Sequence, residues 1–156
     1  MQTILIISKY DTCRSRMAQE VLSSFGRGNE IKTAGVYGGG NIQEVVVNVM
    51  QKNGLTPFKS EAKSVEECYN QVWDFVINLC DEGVELEKNF GENVKNWHNI
   101  IFEDIFAVDP AKDIEEKVQE LYDKMYRTLY KFYRDKIREN SCPRCTCGAN
   151  VFCKCG

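Results

Sequence analysis

ILIISKYDTCRSRMA, residues 4–18, is the stretch that decides the fold. Thr3 to Ile7 is a continuous apolar run, the pattern of a parallel strand buried on both faces. A polar turn follows. Arg14-Ser15 then opens a segment with Met17, Ala18, Val21, Leu22 and Phe25 at helical spacing. Such a strand, loop and helix gather backbone N–H groups and the positive end of a helix around one point. That is the layout of a phosphate cradle.

Working outward, Gly26 to Asn29 ends the helix and Glu30 to Ala34 reads as a second strand. Val36 to Gly40 is a glycine-rich loop. Asn41 is placed to cap a helix ending at Lys52, where Asn53-Gly54 supplies a stop. Ser64-Val65-Glu66-Glu67 has the form of a capping box. Trp73 to Leu79 is the third strand and Asn96 to Ile101 the fourth. Asp113 to Arg138 is the longest helix, with Ile114, Val118, Leu121, Tyr122, Met125 and Leu129 along one stripe. Strands alternating with helices predict an α/β fold, a three-layer αβα sandwich around a four-stranded parallel sheet. Ligands of such sheets bind at the carboxyl ends of the strands, where the loop of residues 8–14 leaves the first one.

A chain of 156 residues fits one compact domain, residues 1–139, with a short tail, residues 140–156. Its net charge of −3 and lack of a basic stripe argue against a nucleic-acid partner. The first apolar run is too short for a membrane span and lacks a leader's basic start. A cytoplasmic protein with no membrane partner is expected. A single histidine, His98, argues against a histidine-built triad or metal site.

The register of these motifs resembles the low-molecular-weight protein tyrosine phosphatases and the thioredoxin-coupled arsenate reductases. Those proteins carry a strand, Cys-x5-Arg-Ser, then a helix beginning near Met-Ala. Here Arg14-Ser15 and Met17-Ala18 match in register. Thr33-Ala34-Gly35 resembles the family's Ser-Ala-Gly, and Asn41 to Leu55 its second helix. Phe75 to Asp81 resembles the reductase strand that ends in a resolving cysteine, and Asp109-Pro110-Ala111 resembles the general-acid loop. The resemblance spans residues 1–138 and implies the same fold.

It also implies roles. Lys9, Tyr10, Asp11, Thr12, Cys13 and Arg14 would surround an oxyanion such as phosphate or arsenate, with Arg14 clamping two oxygens. Ser15 would support a thiolate, Asp109 would protonate the leaving oxygen, and Cys80 would be the redox candidate. The nucleophile's position, however, is Ser8. A serine hydroxyl is far less acidic than a thiol, and no histidine lies nearby to act as base. Losing such a nucleophile costs roughly 10⁴-fold in rate. Tyr10-Asp11 stands where Gly-Asn is usual, Arg16 replaces a common proline, and Glu87 lies near the place of a second resolving cysteine. Asp11 is expected beside the anion, opposing it by roughly 1–4 kcal/mol, with Lys9 offsetting part. Cys13 is out of register as a substitute nucleophile. Two readings stay open: an enzyme with a modified loop, and a non-catalytic binder of oxyanions or of a phosphoprotein.

Cys142, Cys145, Cys147, Cys153 and Cys155 form C-x2-C-x-C-x5-C-x-C in a tail that departs from the family. A tetrahedral zinc takes four thiolates, leaving one of five spare; a softer ion such as Cu(I) suits dense thiolates too. Zinc is the expected cofactor. Cys68 and Cys80 read as small core residues, Trp73 and Trp97 as strand-edge packing, and His98 as a strand-surface residue.

Overall fold

The computed structural model describes residues 1–26, 28–37, 41–57, 62–106 and 113–138. Four strands form one parallel sheet in the order β2-β1-β3-β4: β1 Thr3–Ser8, β2 Glu30–Gly35, β3 Trp73–Asn78 and β4 Val94–Asn99. β1 and β3 are central. Their β-branched and aromatic runs are buried on both faces, as the unbroken apolar pattern requires.

Alternation along β1 divides the core. Ile4 and Ile6 point to the face covered by three helices, α1 (Arg14–Phe25), α2 (Glu44–Lys52) and the long α4 (Ile114–Phe132). Leu5 and Ile7 point to the other face. There they pack with Val76, Val65, Trp73 and Phe90, the last from the short α3 (Glu87–Phe90). The result is the expected three-layer sandwich. No helix among the described residues is long and apolar enough to cross a membrane.

Several boundaries differ from expectation for identifiable reasons. Helix α2 begins at Glu44, capped by the Gln43 backbone rather than by Asn41, because Asn41 and Ile42 stay outside helical conformation. The Ser64 capping box forms, with Ser64 N–H donating to Glu67 Oε2 at 3.2 Å, but it opens a 3-10 turn, Val65–Cys68. Strand β4 lies two residues earlier than Asn96 to Ile101; it is an edge strand with exposed Lys95 and Asn96, so no alternation announces it. Helix α4 ends as a π turn, Tyr133–Ile137. Trp73 is not an edge residue: it is buried, and its indole N–H donates to Cys68 O at 3.0 Å. His98 lies between the Phe75 and Phe132 rings, and burial there lowers its pKa.

Candidate functional site

Ser8 ends β1 and Arg14 begins α1, so five residues turn the chain at the carboxyl edge of the sheet. Ser8 continues the face of Ile4 and Ile6 and therefore lies on the α1 side. Neighbouring chain fixes the loop: Val36 N–H donates to Ser8 O and Tyr37 N–H to Lys9 O, both at 2.9 Å. Gly35 makes this approach possible. A Cβ there would sit 2.8 Å from the Tyr10 carbonyl carbon and 3.0 Å from the Asp11 amide nitrogen. Asp11 carries the reversal at φ 58°, a left-handed conformation that aspartate tolerates better than most residues.

The Asp11 carboxylate points into the protein. Its Oδ1 accepts the Ser15 hydroxyl at 2.7 Å and lies 3.3 Å from Arg16 Nε; its Oδ2 accepts Lys63 N–H at 3.1 Å. Arg16 Nε also donates to Asp11 O at 3.0 Å. Both side chains are essentially inaccessible. The expected opposition of Asp11 to a bound anion is therefore corrected: the charge is turned behind the loop and neutralised. The acid at 11 and the base at 16, which stand where the resembled pattern has Asn and Pro, meet as one buried ion pair.

Ser8 is drawn into the same network. Its hydroxyl donates to Ser15 Oγ at 2.8 Å, and its oxygen accepts Asp11 N–H at 3.1 Å. Arg14 is anchored by donating from one terminal nitrogen to Phe102 O at 2.8 Å and Leu79 O at 3.4 Å; the other lies 3.9 Å from Asp104 Oδ2.

Above the loop is a cavity of about 250 Å³. Ser8, Lys9, Tyr10, Thr12, Cys13 and Arg14 line it, which unites every predicted loop residue except Asp11. No described residue accepts from the amides of Lys9, Tyr10, Thr12, Cys13 or Arg14. Helix α1 has no side-chain cap and no acid in its first turn. Amides without an acceptor among the described residues, a helix N-terminus and a fixed guanidinium together make a donor-rich cradle for an anion. At the rim, Tyr10 packs on Tyr37 with ring centroids 5.9 Å apart, and Lys9 Nζ lies 3.6 Å from Glu82. Tyr10, and then Glu82, hold the Lys9 pKa above its ordinary value.

Gln43, Asp104 and Phe106 also line the cavity and were missed from the sequence. The available signal for Asp104 was an acidic pair, Glu103-Asp104, just past the last strand. Asp109 lies outside the described residues, as do Cys142, Cys145, Cys147, Cys153 and Cys155. The three described cysteines are free and buried. Burial pushes the Cys13 thiol to about 12 and the Cys80 thiol to about 11, and raises Cys68. Cys80 Sγ donates to Asn78 Oδ1 at 3.4 Å. None of the three is a thiolate at neutral pH, and thiolate is the nucleophilic form.

A family model described as low molecular weight phosphotyrosine protein phosphatase matches residues 3–141. No curated protein matches. Among solved structures, the YwlE arginine phosphatase from Geobacillus stearothermophilus aligns with a TM-score of 0.67 at 20% identity, over 95% of this chain and 100% of its own. The arsenate reductase from Archaeoglobus fulgidus gives 0.63 at 20% identity, covering 85% and 99%. The tyrosine phosphatase Wzb from Escherichia coli K30, in complex with sulphate, gives 0.66 at 18% identity, covering 86% and 98%. These three share the fold with this chain.

Proposed function

Because the chain belongs to the low molecular weight phosphotyrosine protein phosphatase family, we propose that its loop of residues 8–14 binds a tetrahedral oxyanion, phosphate or a phosphomonoester, without the covalent turnover a thiolate would support. The observation that carries this reading is the state of Ser8. It stands where the resemblance places the nucleophile, at the start of the donor-rich loop, with its one proton given to Ser15. The only carboxylate reached through that chain among the described residues, Asp11, already faces Arg16 and the Lys63 amide. Cys13 and Cys80 are buried and protonated, so neither substitutes for the missing sulfur.

Binding draws on the loop amides and on the Arg14 nitrogen atoms not held by carbonyl groups. A charge-assisted hydrogen bond of this kind contributes about 1.5–3 kcal/mol. Arsenate, with the same shape and charge, fits the same donors. A phosphoprotein would present its phosphate through a mouth flanked by the exposed Tyr10 and Tyr37. Calorimetric titration with inorganic phosphate tests the reading beside a para-nitrophenyl phosphate assay. Binding lost in Arg14→Ala, with turnover at the buffer rate, is expected. Turnover above background that Arg14→Ala abolishes would contradict it.

The cysteine-rich tail is assigned a structural zinc, held by four of Cys142, Cys145, Cys147, Cys153 and Cys155. The support is their spacing together with the charge of Arg144 and Lys154, which offsets the dianion that zinc forms with four thiolates. The setting is a reducing cytoplasm, where such thiols stay available to metal. Metal analysis of reduced, chelator-free protein should find about one zinc per chain. No metal, with five reactive tail thiols, would remove the zinc assignment.

A further inference from the structure

The hydrogen bonds around Ser8 fix more than its position. A carboxylate only accepts. The Ser15 hydroxyl, 2.7 Å from Asp11 Oδ1, must therefore spend its one proton on Asp11. Facing Ser8 at 2.8 Å, Ser15 can then only accept, so the Ser8 proton goes to Ser15. The Asp11 amide occupies one of the two Ser8 lone pairs. Ser8 is left with one lone pair and no proton, on the wall of the cavity. An asparagine at position 11 would not impose this order, because its amide can donate as well as accept. The buried Asp11–Arg16 pair sets the polarity.

A second acceptor borders the same space. Asp104 uses Oδ1 to accept Phe106 N–H at 3.1 Å, and its Oδ2 lies 3.9 Å from the Arg14 guanidinium. An anion in contact with Arg14 therefore meets the loop amides on one side and two acceptor oxygens, Ser8 Oγ and Asp104 Oδ2, at the cavity wall. An oxygen without hydrogen placed against either acceptor is repelled and leaves that acceptor desolvated and unpaired. An oxygen with hydrogen donates to it instead.

We propose that the site selects a tetrahedral oxyanion that carries a proton, either protonated form of inorganic phosphate or arsenate or the monoanion of a phosphomonoester, over sulfate and over the fully deprotonated dianion of a phosphomonoester. This rests on the oxyanion reading above and deepens it by naming the protonation state of the ligand.

The charged and titratable groups facing the cavity are Lys9, Tyr10, Cys13, Arg14 and Asp104. Glu82 pairs with Lys9, and Asp11 and Arg16 stand behind the loop. Lys9 and Cys13 keep their protons between pH 5 and 8, since both titrate above their ordinary values. The second ionisation of a phosphomonoester, near pH 6, falls inside that window.

The test is calorimetric titration of the full chain with phenyl phosphate, inorganic phosphate and sulfate, at pH 5.5 and pH 8. Both phosphates are expected to bind at least roughly fivefold more tightly than sulfate at pH 5.5, the least that one unpaired acceptor exacts. Phenyl phosphate affinity should fall roughly 75-fold by pH 8 as the monoanion disappears. Asp104→Asn, which offers a donor in place of an acceptor, should narrow the preference over sulfate. So should Asp11→Asn combined with Arg16→Met, which frees the Ser15 proton and removes both buried charges. Sulfate binding within twofold of phosphate at pH 5.5, or an affinity for phenyl phosphate that does not change with pH, would overturn the proton preference and leave oxyanion binding standing. Folded protein that binds none of the three anions at either pH would overturn the oxyanion reading and this inference with it.

Discussion

Replacing Arg16 by methionine removes the cation that neutralises a carboxylate without solvent access. The Asp11 and Arg16 side chains are 0% and 2% exposed, with Nε and Oδ1 3.3 Å apart. At an effective dielectric constant of about 20, that separation corresponds to an attraction of roughly 5 kcal/mol before desolvation. Breaking such a pair by deleting one partner costs about 3–5 kcal/mol, because the other charge is stranded. Arg16→Met is therefore expected to destabilise the fold by about 3 kcal/mol, a fall in Tm of roughly 10 °C for a domain of this size. Asp11→Asn strands the opposite charge and should cost a similar amount. The double variant strands neither and should be more stable than the sum of the single losses predicts, by at least about 1.5 kcal/mol. Urea unfolding of all four proteins completes the cycle, and the pairwise difference excludes any other contact Arg16 makes. Additive losses, or an Arg16→Met protein within about 1 kcal/mol of wild type, would refute the idea that the two buried charges hold each other in place.

Three further outcomes follow from the same geometry. Gly35→Ala forces a methyl group against the Tyr10 and Asp11 backbone, which cannot give way as a side chain can; a stability loss of about 1–3 kcal/mol and loss of phosphate binding are expected by calorimetry. Ser8→Cys alone should gain little para-nitrophenyl phosphate turnover, because Ser15 has given its proton to Asp11 and cannot support a thiolate; Ser8→Cys with Asp11→Asn should gain more, and equal rates would count against the assigned proton order. Stability should fall in alkali: Cys13 and Cys80 titrate at about 12 and about 11 in the folded chain against 9.0 when unperturbed, so the folded state keeps protons that the unfolded state releases. Their contribution is complete below pH 9 and declines above it by about 1.4 kcal/mol per pH unit per thiol, and Cys80→Ala should flatten the slope of urea midpoints between pH 9 and 11.

The sheet was legible because its central strands are apolar without interruption. Ile4 to Ile7 and Phe75 to Ile77 admit few other placements, and the Arg14-Ser15 register located the cradle between them. Strand β4 was placed two residues late because an edge strand with one exposed face follows local polarity only loosely. Asp11 exposes the limit of reading a site along the chain. Adjacency in sequence puts its charge beside the anion, whereas a left-handed backbone turns it inward to meet Arg16, five residues on. That Asp11 and Arg16 belong together is visible only once the loop is folded. Asp104 was missed for a related reason: its relation to Arg14 is made by the return of the chain after β4 and not by any local motif.

A phosphorus NMR time course of phenyl phosphate with the purified protein tests the central claim most directly, since it reports binding and turnover in one sample. A broadened or shifted phenyl phosphate resonance that does not change in Arg14→Ala, or inorganic phosphate accumulating at a rate that Arg14→Ala abolishes, would contradict the account. The expected result is a resonance perturbed by wild type, unperturbed by Arg14→Ala, and no inorganic phosphate above the buffer control.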